Sequence, residues 1–470
     1  MTNASTSAVL QQIETRRQQA VEELKGLLAI PSVSANPAHS ADCRRCAQWL
    51  GDRLKDAGFS VETADTPGQP IVLARNEHRP GRPTVLVYGH YDVQPPDPLD
   101  EWKSPPFEPT IRNDDAGYPA IFARGAVDDK GQVWAHIEAI RAWQANGGLP
   151  VNLIVLLEGE EEVGSTNLEQ FVASRRDDLR ADIAVISDTS QFARGVPAIT
   201  YGLRGLLYVE VTLTAANYDL HSGIFGGAVA NPANVLCEML GSLHDYDGHV
   251  TIAEFYDDVL PLTSEERLMW QKLPFDEGAF YKSIGLVEGH GEEGYSAIER
   301  RWARPTLDIN GLTAGYQGPG AKTIIPAKAS AKLSCRLVPN QDPKKILPWL
   351  ERHLRDRCPP GVKIEFAYHG ASPAVLVPHD SPAIRLASEA VEAGFGVKPA
   401  LIREGGSIPV VGLIKQQLGI DTLLVGFGLP DDRVHSPNEK FDLEALYNGT
   451  RTVAMLYGRL AELENADNRG

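Results

Sequence analysis

The pattern of apolar and polar positions changes character twice along the chain. Up to about residue 203, short apolar runs alternate with segments of helical spacing. Helices are predicted near 9–28, 42–57 and 132–145, and strands from 61 onward and near 71–74, 85–88, 153–157 and 183–187. Strands that alternate with helices predict a largely parallel sheet covered by helices.

From about Arg204 the strands alternate apolar and polar residues, as half-exposed strands do. Strands near 206–213, 306–312, 323–337 and 362–368, with helices near 231–244 and 343–354, follow the order βαββαβ. The stretch 254–301 interrupts this order and is predicted to be a helical insertion. After a proline-rich linker, a helix near 384–393, a strand near 423–427 and a helix near 443–463 return to the first pattern.

The predicted fold is therefore α/β and discontinuous. Residues 1–203 and 379–470 form one domain with a helix-covered, mostly parallel sheet. Residues 204–378 form an inserted α+β domain of ferredoxin-like βαββαβ order.

The apolar run 151–157 leads directly into four carboxylates, Glu158, Glu160, Glu161 and Glu162. A buried parallel strand fits that run, so the carboxylates fall where the strand meets its following loop. Ligands bind at this edge of open α/β sheets. A solvated acidic loop is the alternative, and three other segments decide between the two.

The same arrangement of an apolar strand followed by a potential metal ligand recurs along the chain. The strand at 85–87 leads to His90 and Asp92, the strand at 183–186 leads to Asp188, and the segment from 421 leads to His435. Asp128 stands in a glycine-flanked turn just before a predicted helix. Histidine and carboxylate side chains on neighbouring strand ends suit divalent metals of the zinc or manganese type.

Composition narrows the classes of function. Acidic residues outnumber basic ones 62 to 45, for a formal charge of −17, which argues against binding to nucleic acid or to anionic membranes. Hydrophobic residues are 43% and charged residues 23%, as in globular proteins, and no apolar run approaches the ~20 residues of a membrane helix. The first 20 residues lack the apolar core of a signal peptide, so a cytoplasmic location is expected.

The five cysteines are an odd number scattered through a long chain, which is typical of proteins whose thiols stay reduced. Cys43 and Cys46 form a C-x-x-C pair within a helical pattern. No second pair completes a four-cysteine zinc site, so a structural role is expected for both.

Taken together, these segments resemble the M20 metallopeptidase family, in its branch of carnosine and cysteinylglycine dipeptidases. The resemblance covers nearly the whole chain. The matching motifs are His90-Tyr-Asp92, Arg124-Gly-Ala-Val-Asp128-Asp-Lys-Gly131, Glu158-Gly-Glu-Glu161-Glu162-Val-Gly-Ser165, Ser187-Asp188, Asp219-Leu-His221-Ser-Gly223, Arg403-Glu-Gly-Gly-Ser407 and His435-Ser-Pro-Asn-Glu439.

The resemblance implies two divalent metal ions per subunit, zinc first, with manganese or cobalt as alternatives. The implied ligands are Asp128 as a bridge, His90 and Asp188 on one metal, and Glu162 and His435 on the other. Glu161 would be the general acid/base, a choice that spacing alone leaves open among the four glutamates. Asp92 would orient the His90 imidazole, and the family also implies a cis peptide bond between Asp128 and Asp129.

Substrate recognition is likewise implied by the resemblance. Arg336 would bind the substrate carboxylate, and a surface charge is the alternative. From the residues themselves, backbone N–H groups around Gly406 and Ser407 could hold the same carboxylate, and an ordinary turn is the alternative. The inserted domain would act as a lid and join two subunits in a homodimer, and His221 would reach the partner's active site. A serine nucleophile at the neighbouring Ser222 is not expected, because no G-x-S-x-G elbow occurs.

The predicted function is metal-dependent hydrolysis of the amide bond in dipeptides or short peptides with a free C-terminal carboxylate. An N-acyl-amino-acid deacylase or desuccinylase of the same family is the first alternative. A metal-binding scaffold without catalysis is the second, and the presence of Glu161 and Asp92 argues against it because a structural site needs no base. The expected partners are a small peptide substrate and a second copy of the chain, with no nucleic acid and no membrane.

Overall fold

The structure, a computed structural model, describes residues 6–463, which form two compact units. Unit 1 runs to Tyr201 and continues with Val377–Ile402 and from Leu413 onward, and unit 2 consists of Gly202–Leu376 and Arg403–Gly412. The sequence had placed 403–412 with the catalytic domain. These residues group with unit 2 because Arg403 forms an ion pair with Glu266 and Ser407 bonds to Arg336.

The helices and strands follow in chain order. Up to residue 203 they are α1 (Thr6–Leu28), α2 (Ser40–Asp56), β1 (Ser60–Ala64), β2 (Ile71–Arg75), β3 (Thr84–His90), β4 (Thr110–Asn113), β5 (Pro119–Phe122), α3 (Lys130–Ala145), β6 (Asn152–Glu158), α4 (Leu168–Ser174), β7 (Ile183–Ile186) and β8 (Ala198–Leu203). From 204 to 376 they are β9 (Gly205–Thr214), β10 (Leu220–His221), α5 (Ser222–Phe225), α6 (Pro232–Gly241), α7 (Ser264–Gln271), α8 (Glu277–Ser283), α9 (Ala297–Ala303), β11 (Thr306–Ala314), β12 (Ile324–Ile325), β13 (Lys328–Leu337), α10 (Pro343–Arg355), β14 (Lys363–Ser372) and β15 (Val375–Leu376). The remainder are α11 (Pro382–Phe395), β16 (Ala400–Glu404), α12 (Pro409–Leu418), β17 (Thr422–Leu424), β18 (Lys440–Asp442) and α13 (Leu443–Leu460).

The central sheet of unit 1 has four parallel strands at its middle, in the order β6-β3-β7-β17. Antiparallel strands flank them, β2 and β1 beyond β6 and β8 beyond β17. Every residue of β6, β7 and β17 is buried, which explains their continuous apolar runs. The α/β fold with a mostly parallel central sheet is confirmed, and the parallel strands occupy the centre.

Helices pack on this sheet and on one another. Helix α3 is buried along almost its whole length and lies against β3, α1 and α13. Its burial fixes the position of the turn that precedes it, and that turn contains Asp128.

A small sheet of unit 1 escaped the sequence analysis. Strands β4 and β5 form an antiparallel pair of consecutive strands, and β18, from a distant part of the chain, pairs antiparallel with β5. Each has only three or four residues, too few for an alternation of apolar and polar residues to be recognised. This sheet brings the segment before β18 beside the loop that follows β5. Helix α12 was missed as well.

Unit 2 contains a four-stranded antiparallel sheet in the order β11-β13-β9-β14. Helices α6 and α10 pack on one face, over a core that includes Leu207, Val209 and Val211 of β9. The predicted βαββαβ order is therefore observed, and the stretch 254–301 contains the short helices α7 and α8 and most of α9. Over the described range of both units, none of the helices combines the length and apolarity needed to cross a membrane.

Candidate active site

The carboxyl ends of the parallel strands collect polar side chains in unit 1. His90 is the last residue of β3 and pairs in register with Glu158, the last residue of β6. Asp188 follows β7, which lies on the other side of β3. Asp128 enters from the turn before α3. The strand order therefore brings together residues that are far apart in the sequence.

Asp128 lies between two histidines. His90 Nε2 is 3.1 Å from Asp128 Oδ1, and His435 Nε2 is 2.9 Å from Asp128 Oδ2. His90 Nε2 is also 3.8 Å from Asp188 Oδ2, and His435 Nε2 is 3.2 Å from Glu162 Oε2. The two oxygens of one carboxylate therefore face two different sets of ligands. The peptide bond from Asp128 to Asp129 is cis, which confirms that expectation.

These contacts define two candidate metal-binding groups that share one residue. In each group the ligand atoms lie within 4.8 Å of one another. The groups are His90, Asp128 and Asp188, and Asp128, Glu162 and His435. Imidazole with carboxylate ligands fits zinc, manganese or cobalt chemistry.

The pKa shifts show how much negative charge converges here. Burial, followed by the Asp128 carboxylate, raises the pKa of Asp188. Hydrogen bonds to Asp128 and Glu162 raise the pKa of His435 to about 10. Burial alone would lower the pKa of His90, but Asp128 and Asp92 raise it well above its usual value. The carboxylates thus favour positive charge among them, and bound divalent cations would displace the imidazole protons.

Asp92 is fully buried beside the first histidine. His90 Nδ1 lies 3.4 Å from Asp92 Oδ1 and 3.1 Å from the Asp92 carbonyl oxygen. The Asp92 carboxylate also accepts hydrogen bonds from the backbone N–H groups of Glu161 and Glu162, at 3.2 and 3.1 Å. Asp92 therefore contacts both the imidazole and the loop that carries the two glutamates.

The structure separates the four glutamates that spacing left equivalent. Glu158 Oε1 accepts hydrogen bonds from Tyr88 Oη at 2.5 Å and from Ser165 Oγ at 2.8 Å. Glu160 Oε2 accepts one from Asn167 Nδ2 at 2.7 Å. Glu162 contacts His435, as described above. Burial raises the pKa of Glu161; His90 opposes this rise, and the neighbouring carboxylates add to it. A raised pKa suits a carboxyl group that both takes up and releases a proton.

His221 lies in unit 2, at the end of β10, and is exposed. Its Nδ1 accepts a hydrogen bond from Gly223 N at 3.1 Å, which caps the short helix α5. Because Nδ1 is the acceptor, the neutral imidazole carries its proton on Nε2. The side chain therefore presents an N–H donor away from the turn that it caps.

Arg336, Gly406 and Ser407 also lie in unit 2. Arg336 Nη1 donates to Ser407 Oγ at 3.1 Å, and Ser407 Oγ donates to the Arg204 carbonyl oxygen at 2.6 Å. A side chain added at Gly406 would meet nothing within 4 Å. Unit 2 thus places the Arg336 guanidinium against the segment of Gly406 and Ser407, whose backbone N–H groups are predicted to bind the same carboxylate.

Two residues of the site, Gln94 and Glu439, could not be assigned a role from the sequence. Gln94 Nε2 donates to Glu162 Oε2 at 2.7 Å, and Glu439 accepts four hydrogen bonds around the Asp128 turn. Gln94 stands four residues after His90, and Glu439 four residues after His435. Proximity to a ligand in the sequence was the available signal, but it does not reveal the contact partner.

Comparison with known proteins places this site in a family. The family model of Peptidase family M20/M25/M40 matches residues 86–458. The chain belongs to this family. The resemblance noted in the sequence is thereby confirmed, and the protein is a peptidase.

Individual relatives match nearly the full chain. The Cys-Gly metallodipeptidase DUG1 of Candida albicans is 35% identical over 94% of this chain and 94% of its own length. The crystal structure of human carnosine dipeptidase 1 is 32% identical, with a TM-score of 0.80, and covers 98% of this chain and 100% of that chain. The M20 family metallo-carboxypeptidase Sso-CP2 from Sulfolobus solfataricus is 35% identical, with a TM-score of 0.85, and covers 94% and 99%.

Proposed function

We propose that the protein is a two-metal hydrolase that cleaves the amide bond of dipeptides and short peptides with a free C-terminal carboxylate. The observation that carries this proposal is the sharing of Asp128 by two groups of metal ligands. The full-length similarity to a Cys-Gly metallodipeptidase supports the substrate class. Zinc is the proposed native cation, and manganese and cobalt are the alternatives to compare.

Asp128 is proposed as the bridging ligand. His90 and Asp188 complete one set of ligands, and Glu162 and His435 complete the other. Two divalent cations held by these residues would supply an activated water and would polarise the scissile carbonyl. Gln94 contributes by fixing the orientation of the Glu162 carboxylate through its 2.7 Å hydrogen bond.

Glu161 is proposed as the general acid/base. It accepts a proton from the attacking water and returns it to the leaving amine, and its pKa, raised by burial, supports this role. Asp92 positions two groups, because its carboxylate lies against the His90 imidazole and accepts the N–H of Glu161. The base and a metal ligand are thus oriented by one buried side chain.

Arg336, with Ser407 and the backbone at Gly406, is proposed to bind the C-terminal carboxylate of the substrate. The hydrogen bond that Arg336 Nη1 donates to Ser407 Oγ supports this role, because it holds the guanidinium beside the backbone of Gly406 and Ser407. A guanidinium fork matches a carboxylate in geometry. Recognition of the terminal carboxylate would restrict the enzyme to cleavage close to the C-terminus.

A homodimer joined through unit 2 is proposed, with His221 donating its Nε2–H to the oxyanion in the partner's site. The exposure of His221, together with the use of its Nδ1 as an acceptor for Gly223 N, supports the second part. Strand β11 is an edge of the unit 2 sheet and exposes Ile309 (45%) and Leu312 (53%). Exposed apolar residues on an edge strand support its burial by another copy.

A cytoplasmic location is proposed as well. All five cysteines are free, as expected in a reducing compartment.

The formal charge of −17 supports a small-molecule substrate rather than nucleic acid.

The test is a substrate screen with protein stripped of metal and reconstituted with zinc, manganese or cobalt. Dipeptides, their C-terminal amides, tripeptides, longer peptides and N-acyl amino acids would be compared by kcat/KM. The expected result is hydrolysis of dipeptides that requires metal and that falls when the carboxylate is amidated. Preference for N-acyl amino acids would instead indicate a deacylase, and absence of all hydrolysis in protein loaded with two metals would favour the scaffold.

A further inference from the structure

Glu439 is a completely buried carboxylate at the end of the motif that begins with His435. Its Oε1 accepts hydrogen bonds from Val127 N at 3.0 Å and Asp128 N at 3.2 Å. Its Oε2 accepts hydrogen bonds from Gly125 N at 2.9 Å and from Arg124 Nη1 at 2.8 Å. One side chain therefore satisfies three backbone donors of the turn that carries Asp128.

These three N–H groups belong to a turn, so neither a helix nor a sheet supplies their acceptors. Buried backbone donors left without a partner are costly, and bonds to a charged acceptor are stronger than neutral ones. Gly125 has a φ of 79°, and a Cβ there would lie 2.6 Å from Val93 Cγ1. The turn therefore needs glycine at its start and a carboxylate at its centre.

Glu439 also joins this turn to the neighbouring segments. Its own carbonyl oxygen accepts a hydrogen bond from Ala123 N at 3.2 Å, next to β5. Its ion-pair partner Arg124, only 1% exposed, donates from Nη2 to the Pro95 carbonyl oxygen at 3.3 Å. Pro95 lies in the loop after His90 and Asp92. The pair thus connects the three segments that contain His90, Asp128 and His435.

We propose that Glu439 is a positioning residue for the metal centre, holding the Asp128 turn and the His435 loop in one fixed arrangement. This inference rests on the proposed function, since it assumes that Asp128 and His435 bind metal. Both loops depend on the same carboxylate. Loss of Glu439 should therefore affect the group of Asp128, Glu162 and His435 more than the group completed by His90 and Asp188, which are held at the ends of β3 and β7.

Asp432 provides a matched control. It is also fully buried in the loop before β18, and it pairs with Lys440 Nζ at 2.7 Å and accepts Leu429 N at 2.6 Å. The hydrogen bonds of its side chain do not extend to the Asp128 turn. A loss of metal caused by general loosening of the loop would appear in Asp432→Asn as well as in Glu439→Gln.

The experiment compares zinc stoichiometry and affinity in wild type, Glu439→Gln and Asp432→Asn, by titration against a competing chelator. In Glu439→Gln, the affinity for the zinc held by Asp128, Glu162 and His435 is expected to fall by about 10- to 100-fold. This is the range seen when a residue that contacts a metal ligand is removed. Asp432→Asn should retain wild-type affinity even if its melting temperature falls. Equal losses in the two variants, or no loss in Glu439→Gln, would overturn the inference.

A double variant separates positioning from the effect of an uncompensated charge. Glu439→Gln leaves the buried Arg124 without its counterion, whereas Arg124→Gln with Glu439→Gln removes both charges. The double variant is expected to unfold at a higher temperature than Glu439→Gln but to keep the weakened zinc affinity. Recovery of zinc affinity along with stability would overturn the positioning role. Wild-type protein that binds no zinc, manganese or cobalt would instead contradict the proposed function itself.

Discussion

The Nε2 atom of His435 lies 2.9 Å from Oδ2 of Asp128. The other Asp128 oxygen faces His90, so the two histidines do not compete for the same atom. A carboxylate placed in this way could offer one oxygen to each of two cations, which is the bridging role proposed for Asp128. The consequences can be measured in the metal content of single variants.

Replacement of Asp128 by alanine is expected to weaken both metals. A bridging ligand contributes to two sites, and its loss also leaves the two cations less screened from each other. Metal analysis after dialysis should find fewer than two equivalents in Asp128→Ala. Asp188→Ala, which removes a ligand from one group only, should lose less metal. Two tightly held metals in Asp128→Ala would contradict the bridge.

Glu161→Gln is expected to retain both metals and lose turnover by roughly 100- to 10,000-fold, because only proton transfer is removed. Glu160→Gln is the neighbouring control, since Glu160 bonds to Asn167 instead of facing the histidines. It should retain most activity. Metal content and kcat would be measured on the same samples. Near wild-type turnover in metal-replete Glu161→Gln would show that another group is the base.

His221→Ala is expected to reduce kcat while metal content and the dimer are unchanged. A hydrogen-bond donor to a developing oxyanion contributes about 3 to 4 kcal/mol to transition-state stabilisation, or roughly 100- to 1,000-fold in rate. A histidine that only caps α5 would instead affect stability, since its Nδ1 accepts Gly223 N. Thermal unfolding measured beside kcat distinguishes these two roles.

Hybrid dimers test whether His221 acts across the subunit boundary. Subunits with Glu161→Gln and subunits with His221→Ala are each expected to be nearly inactive. If His221 acts in the partner's site, a mixed dimer contains one site with both groups intact, and activity should return. Verified hybrid dimers without recovered activity would rule out action in trans.

His136 is expected to make unfolding depend on pH below neutrality. It is buried between Tyr457 Oη, 2.7 Å from Nδ1, and Ser187 Oγ, 2.8 Å from Nε2. Burial lowers the pKa of His136 to about 3, whereas an unfolded histidine titrates at about 6.5. Between these values the unfolded chain binds a proton that the folded chain does not. The stability contributed by the neutral side chain is thus complete above about pH 6.5 and is lost as pH falls toward 3.

The measurement is the free energy of unfolding of metal-free protein between pH 4 and pH 7. Wild type should lose up to about 1.4 kcal/mol per pH unit through this residue. His136→Gln should be less stable at pH 7 but have a shallower pH dependence. His290→Gln, at an exposed position, is the control. If the free energy of unfolding changed with pH to the same extent in wild type and in His136→Gln, a neutral, buried His136 in the folded protein would be contradicted.

The sequence predicted most of the fold because most elements carry their own signal. Strands β3, β6 and β7 are apolar because both faces of the sheet are covered. In the amphipathic helices, the spacing of the apolar residues indicates the buried face. Strands β4, β5 and β18 were not recognised. A run of three or four residues carries no periodicity of its own, and β18 pairs with β5, which is more than 300 residues away in the sequence.

The sequence by itself also predicted the ligands of the proposed metal site, because strand ends and family motifs mark them. Only the tertiary structure decided how they are arranged. Spacing could not separate Glu158 and Glu160 from the glutamates near the histidines, since hydrogen bonds to Tyr88 and Asn167 distinguish them. Nor could it assign Glu439, whose role depends on backbone donors that come close only when β18 pairs with β5. Whether a residue can bind a metal depends on its own side chain. The order of the strands and the partners of buried polar groups depend on contacts between residues that are far apart in the sequence.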